Sequence, residues 1–452
     1  VPHIRKALSS GAKLVVIDPR QTSLAKRADI HLAVRPGTDV AVALAIHKFL
    51  FDHSLLDSVF LEEHATGVNE LRSRASEWSM ERAASIAEID VRQLEQFAEL
   101  YAGTSPAVIR CGWGLERNRN GGNAAMAVLA LPTIAGKFQV RGGGFSMSNS
   151  GALGLSNSSW ISAPEPNTRV VNMNQLGRSL SDCENPPIKA LFVYNCNPVV
   201  TLPHQNLLLQ ELKRDDLFVV VFDQVMTDTA KWADVVLPAT TFLEQYDVAR
   251  SYGLGTLELV QPVIEAVEEA RPNAEIFAEL SRLLDVDCPP ALLSDPEALM
   301  HVVGSVGAPL KDQLLSKGHA EPEWGLAPVQ FVDVFPRTTD RKVNLFPQAL
   351  ELEAPHGLYR FQPEVKDSDY PLVLVSPATD KTITSTLGEL RPRLASLQIH
   401  PDDAEARDLA TGDTARMFNA IGEVHCPIQI NPGMKPGVVS LPKGLWQKST
   451  MN

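Results

Sequence analysis

Lys13-Leu14-Val15-Val16-Ile17-Asp18-Pro19-Arg20 is the stretch on which the fold reading turns. Its apolar run is continuous, not alternating, and it stops at an Asp-Pro turn. That pattern reads as a strand buried on both faces of a parallel sheet, because helices cover such sheets on each side. Residues 30–34 repeat the pattern after a short helical stretch. Thr38 then precedes an apolar-periodic segment over 40–50, so Pro36-Gly37-Thr38-Asp39 reads as a loop and N-cap opening a helix. Strand, turn, helix and strand in this order are α/β winding.

The winding continues outward. Ala107-Val108-Ile109 leads into Gly112-Trp113-Gly114, and Gly121-Gly122 opens a helix over 123–135. Residues 141–159 form a loop of Gly, Ser and Asn, and long structureless loops inside domains are usually functional. Apolar strands recur at 190–194, 218–222 and 234–238. Residues 289–368 are Pro-rich and read as an irregular connecting region. The last block holds short strands at 371–375, 414–418, 423–430 and 437–441, with a helix starting at Pro401-Asp402-Asp403; it reads as a β-barrel. The expected units are therefore 1–145 and 146–288, both Rossmann-like, the connector 289–368, and a barrel at 369–452.

Length and composition agree. A chain of 452 residues exceeds one hydrophobic core. Its 44% apolar and 21% charged residues are those of an ordinary globular protein, and a net charge of -13 argues against nucleic-acid binding. Cys111, Cys183, Cys196, Cys288 and Cys426 form no C-x-x-C pair, so no zinc or iron-sulfur site is legible and each reads as a small core residue. No apolar run is long enough to insert directly in a membrane. The chain opens on Val1 without a leader, which reads as an excised start and leaves the compartment, cytoplasmic or periplasmic, open.

Several strand ends carry polar residues where open α/β sheets place ligands. Asp18 offers a carboxylate to ribose or guanine donors and Arg20 a cation to phosphate, although Asp-Pro also begins ordinary turns. Thr38 and Asp39 offer donors and a carboxylate at a helix start, or simply a cap. Gly112 and Gly114 permit close approach of a pyrophosphate, but no G-x-G-x-x-G spacing is present and NAD is not implied. Asn195 and Asn197 follow one strand, and Asp223, Thr227 and Thr229 follow another. The two loops repeat one arrangement.

In order along the chain, Val16-Ile17-Asp18-Pro19-Arg20, Arg35-Pro36-Gly37-Thr38-Asp39, Cys111-Gly112-Trp113-Gly114, Tyr194-Asn195-Cys196-Asn197-Pro198, Met226-Thr227-Asp228-Thr229-Ala230, Ala233-Asp234-Val235-Val236-Leu237-Pro238-Ala239 and Glu269-Ala270-Arg271-Pro272-Asn273 resemble motifs of the dimethyl sulfoxide reductase family of molybdopterin oxidoreductases. The resemblance implies two molybdopterin guanine dinucleotides chelating one molybdenum or tungsten, and a last barrel of the double-psi type. By the same resemblance, Asp18, Arg20, Thr38 and Asp39 serve one dinucleotide, with Gly112 and Gly114 near its pterin. Asn195, Asn197, Asp223 and Thr227 serve the other, while Ser376, Thr379, Ser385 and Thr386 close over both. Ser148 and Asn149 are candidates for the substrate funnel.

The resemblance further places a 4Fe-4S cluster and the protein's metal ligand upstream of Val1, and more of the barrel beyond Asn452. The chain is accordingly expected to be truncated at both ends and inactive alone. Expected partners are a small-molecule substrate and an iron-sulfur electron-transfer subunit. Formate dehydrogenases of the family carry an Arg in the funnel loop; here the match is Ser148, which makes formate a poorer candidate unless Arg141 reaches the site. Two rival readings are a non-catalytic scaffold resembling the large iron-sulfur subunit of NADH-quinone oxidoreductase, and a plain nucleotide-binding module. The retained Asp18, Asn195, Asn197 and Asp223 favour a real pterin site over the first, and the appended barrel tells against the second.

Overall fold

The computed structural model describes residues 2–148, 151, 153, 168–287, 294–364, 368–379, 383–390 and 394–451. The strand Val15–Ile17 pairs in parallel with Ile30–Leu32, as the opening motif predicts. Burial on both faces is not what it shows. Val15 and Val16 are half-buried and Ile17 is 40% exposed, because the strand has a single partner among the described residues. An apolar run reports a preference for burial and does not count the neighbours that supply it.

The helix Asp39–Asp52 follows. Val40 to His47 and Leu50 are buried on every side of it, as a helix apolar all round requires. Helices Val68–Ala75, Met80–Ala87, Val91–Gly103 and Gly121–Ile134 pack around it. A second parallel pair, Val108–Arg110 with Gly144–Ser146, lies beside this bundle. Asn120 is buried just before the last helix. Its amide donates to the carbonyls of Gly37 (2.9 Å) and Gln362 (2.8 Å) and accepts from the Gln362 N–H (2.8 Å), fixing the Pro36-Gly37-Thr38 loop against a distant segment.

The strands Ala190–Tyr194, Phe218–Asp223 and Val235–Pro238 form one parallel sheet in that order. Val193, Val219 and Val221 pack with Leu180 and Leu208 from helices Leu176–Asp182 and Gln205–Glu211. A separate antiparallel sheet, not anticipated, joins Leu257–Val260 to Asp247–Arg250 and His319–Ala320.

The expected connector at 289–368 is not irregular throughout. It holds helices Asp295–Ser305, Ala308–Lys317 and Gln348–Glu353. Its Val303 and Leu314 pack with Leu257, its Phe331 with Phe60 and Phe138, and its Leu345 and Tyr359 with the first helical core. Pro296 and Pro309 misled the reading because each stands in the first turn of a helix, where the missing N–H is no loss.

From Asp369 onward the chain is β-rich, as expected. Five strands form a curled half-barrel in the order Val373–Val375, Val438–Ser440, Leu397–Ile399, Gly422–Ile430 and Thr414–Asn419, with mixed pairing. The short helix Pro401–Glu405 begins where Pro401-Asp402-Asp403 predicts, while Leu397–Ile399 was not foreseen. Among the described residues no helix is long and apolar enough to cross a membrane.

Asn120→Ala removes three hydrogen bonds at a buried site and leaves their partners unsatisfied, which costs about 1–3 kcal/mol for each group that water does not reach. Urea unfolding should show a loss of at least about 2 kcal/mol. A loss under about 0.5 kcal/mol would mean that the loop is held by other contacts.

Candidate functional site

The strand end at Asp18 is tied to the half-barrel through backbone. The Gln21 N–H donates to the Gly433 carbonyl (2.6 Å) and the Lys435 N–H to that of Pro19 (3.0 Å). The Asp18 carboxylate accepts from the Arg20 backbone N–H (2.9 Å) and from its guanidinium at Nε (3.2 Å) and Nη2 (3.3 Å). Arg20, expected on a phosphate, is therefore bound to its neighbouring acid. Thr38 occupies the N-cap position, but its hydroxyl donates to the Arg35 carbonyl (2.7 Å) and makes no cap bond. Both residues shape their loops with the groups assigned to a ligand.

Asp39 differs. Its carboxyl is partly buried, and burial pushes its pKa up to about 6; its own backbone N–H relieves this slightly and the charge of nearby Asp18 aggravates it. Cys111 lies in the same neighbourhood, its thiol raised to about 11 by burial and by the Asp39 charge. Gly112 and Gly114 follow at negative φ, and a Cβ on either would meet open space. The fold itself does not demand glycine there, which leaves close approach of another group as a reason for it.

At the second strand end, Asn195 takes a left-handed conformation (φ 52°), which asparagine tolerates well. Asn197 is buried; its Oδ1 accepts from the Thr229 N–H (3.2 Å) and hydroxyl (2.7 Å). Its Nδ2 is buried with no partner among the described residues. The Thr227 hydroxyl accepts from the Ala230 N–H (3.0 Å) and so holds its own turn. Burial raises the Asp223 pKa, and Glu389, reaching over from the half-barrel segment, adds to the rise. Asp228 accepts from Lys231 (2.7 Å) and from the Gln447 backbone N–H (2.7 Å), which fastens the half-barrel at this end too.

The loops expected to close the site flank these contacts. The Ser385 carbonyl accepts from the Trp446 indole (2.8 Å), and Gly388 and Gly444 stand where a Cβ would overlap Trp446 and Thr384. Ser376 and Thr386 are exposed and make no side-chain hydrogen bond among the described residues, while Thr379 and Ser385 are half-buried. Ser148 is exposed just past the strand Gly144–Ser146; Asn149 and Cys288 lie outside the described residues, and Arg141 is exposed in a turn. Cys111 and Cys426 are buried, Cys183 and Cys196 half-buried, and the described residues contain no group fit to hold a metal ion. Asn120 and Asp228 were missed because their role is to hold loops through distant backbone, for which the local sequence has no signal.

The family model for molybdopterin oxidoreductases matches residues 2–283, and that for the molybdopterin dinucleotide-binding domain matches 375–452. Over 98% of its length the chain is 33% identical to a Bacillus subtilis (strain 168) protein called probable oxidoreductase YoaE, of which it covers 66%. It is 27% identical, over 97% of its length, to the dimethyl sulfoxide reductase DmsA of Escherichia coli (strain K12), covering 63% of that protein. Acetylene hydratase from Pelobacter acetylenicus shares the fold with a TM-score of 0.79 at 23% identity, over 99% of this chain and 68% of that one. The chain thus spans about two thirds of the length of these curated relatives.

The Asp39 carboxyl makes a test of strain independent of any ligand. Its pKa is higher folded (about 6) than at its ordinary value of 3.8, so the folded state holds the proton more tightly. Stability from this group is full below about pH 4, falls as pH rises to about 6, and is level above that. Asp39→Asn should therefore raise stability at pH 7.5, by at most about 3 kcal/mol, and leave it unchanged at pH 4. Urea unfolding at both values checks this; an equal gain at both, or none at pH 7.5, contradicts it.

Proposed function

Because this chain belongs to the molybdopterin oxidoreductase family of the dimethyl sulfoxide reductase type, we propose that it is the part of a catalytic subunit that cradles two molybdopterin guanine dinucleotides. When bound, they and their molybdenum or tungsten supply two-electron redox chemistry on a small molecule. The observation that supports this most is the buried, unpartnered Nδ2 of Asn197. A buried amide donor without an acceptor carries a penalty of about 1–3 kcal/mol, which the phosphate, ribose or purine oxygens of a dinucleotide would remove. A scaffold subunit has no cause to keep that group.

The first cluster complements a dinucleotide in the same way. Asp39 carries a disfavoured charge, and the N–H edge of guanine is a donor set that stabilises it. Asp18, Arg20 and Thr38 shape the loops beside this carboxylate, and Gly112 and Gly114 leave room for the pterin. At the other end Asp223 is the acceptor and Asn197 the donor, with Thr227 and Asn195 shaping the loop. Ser376, Thr379, Ser385 and Thr386 close the half-barrel over both. Substrate enters past Ser148 and Asn149, and electrons leave through a 4Fe-4S cluster of the full-length protein to an iron-sulfur partner. The nearest loop residue here is Ser148, not an arginine, which makes a carboxylate substrate such as formate a poorer candidate unless Arg141 reaches the site.

In the full-length protein, Asp39→Asn and Asp223→Asn should each remove a charge-assisted hydrogen bond worth about 1.5–3 kcal/mol. Guanine nucleotide released by acid should fall from two per chain toward one in either variant. For Asp39→Asn that loss should accompany the gain in apoprotein stability at pH 7.5, so misfolding cannot explain it. Full nucleotide content in both variants would defeat the proposal.

A further inference from the structure

Two loops leave the parallel pair Val108–Arg110 and Gly144–Ser146 at the same end. After Cys111 the chain enters the Gly112-Trp113-Gly114 loop, and after Ser146 it enters Met147-Ser148. The pairing runs one residue past the first strand, since the Cys111 N–H donates to the Ser146 carbonyl (2.9 Å). Beyond that point one side chain reaches both loops. Nη1 of Arg110 donates to the carbonyls of Cys111 (3.0 Å), Ser146 (3.2 Å) and Met147. The Cys111 carbonyl belongs to the peptide unit that opens into Gly112, and the Met147 carbonyl to the one that opens into Ser148.

A guanidinium Nη carries two hydrogens, and here it meets three acceptors, so the bonds are shared and compete. A turn of the Cys111–Gly112 peptide unit therefore changes what is left for the Met147–Ser148 unit. A Cβ at Gly112 or Gly114 would meet open space, so nothing in the fold crowds the first loop at these positions. An incoming group can press on it there.

The second strand is held along its far edge in a different way. Gly144 and Ser146 bond to Ala107 and Cys111 on one edge, and Phe145 between them faces the other. There the Gln330 amide takes the place of a third strand: Oε1 accepts from the Phe145 N–H and Nε2 donates to the Phe145 carbonyl, both at 3.1 Å. Gln330 is itself seated, because its carbonyl accepts from the Gln139 N–H (3.0 Å) and the adjoining Phe331 is buried against Phe60 and Phe138. This clamp bonds to the strand and to neither loop. Arg110 bonds to the first peptide unit of each.

We propose that Arg110 is a positioning residue that couples the two loops, so that a dinucleotide seated at Gly112 and Gly114 fixes Met147-Ser148 where substrate enters. This rests on the function proposed above and adds a regulatory link within that site. The empty protein keeps its strand in place, through Gln330, while the substrate passage stays loose until the cofactor is in.

The test compares the full-length protein in two states, loaded, and empty from a host that makes no molybdopterin. Hydrogen exchange, read by mass spectrometry on peptides covering Gly144 to Ser148, measures how often the segment opens. Loading should slow that exchange about 5- to 10-fold in the wild type, the lower part of the range usual for coupled sites. In Arg110→Met the empty-to-loaded ratio should fall to about 1, since the coupling is gone. Arg110 is exposed, so its replacement leaves the core intact. Gln330→Met should speed exchange in both states and keep the wild-type ratio, which is also how Arg110→Met would behave if Arg110 were merely structural. Exchange in the wild type that does not change on loading, a ratio kept in Arg110→Met, or a ratio lost in Gln330→Met overturns the inference. So does an Arg110→Met protein without guanine nucleotide, which would make Arg110 a direct ligand. Nucleotide is measured first: a wild-type protein that carries none defeats the function proposed above and this inference with it, whereas nucleotide present without the change in exchange defeats this inference alone.

Discussion

Parallel strands finish with open backbone and short polar loops at their C-terminal ends, and in this chain one half-barrel is fastened to two such ends. Gln21 and Lys435 exchange backbone hydrogen bonds with Gly433 and Pro19 on one side, and the Gln447 N–H donates to Asp228 on the other. The positions of both polar clusters depend on this attachment. Glu389 bears on Asp223 because the half-barrel segment is brought against that strand end. Each unit could form its sheet alone, but only the shared cap puts the loops 376–379 and 384–388 beside the strand ends.

Within the clusters, two kinds of polar residue divide the labour. Asp18, Thr38, Thr227 and Asp228 have their hydrogen bonds satisfied internally and give the loops their shape. Asp39 and the Asn197 amide nitrogen do not; one bears a charge that burial disfavours and the other a buried donor without an acceptor. A protein keeps such groups where a ligand relieves them, since unrelieved they only subtract from stability. The shaping residues make the arrangement stiff, so little reorganisation is left for the ligand to impose.

Much of this was legible in the sequence for identifiable reasons. Val15-Val16-Ile17 and Val219-Val220-Val221 announce parallel strands because β-branched residues in continuous runs suit little else, and polar residues at their ends follow from where ligands sit in such sheets. What failed was anything set by distant contact. The neighbours of Val15–Ile17 could not be counted, Pro296 and Pro309 looked like breakers where they are helix starters, and the three-residue strand Leu397–Ile399 was too short to register. In the candidate site the family motifs marked loops at the strand ends, but they could not separate Asp18, held by Arg20, from Asp39, which is not.

The central claim is that the two clusters are two halves of one cofactor site. The most direct measurement is the ratio of guanine nucleotide to molybdenum plus tungsten in the purified full-length protein, by acid release and elemental analysis. Two nucleotides for each metal atom is the predicted result. One nucleotide per metal, or metal without guanine nucleotide, would contradict it.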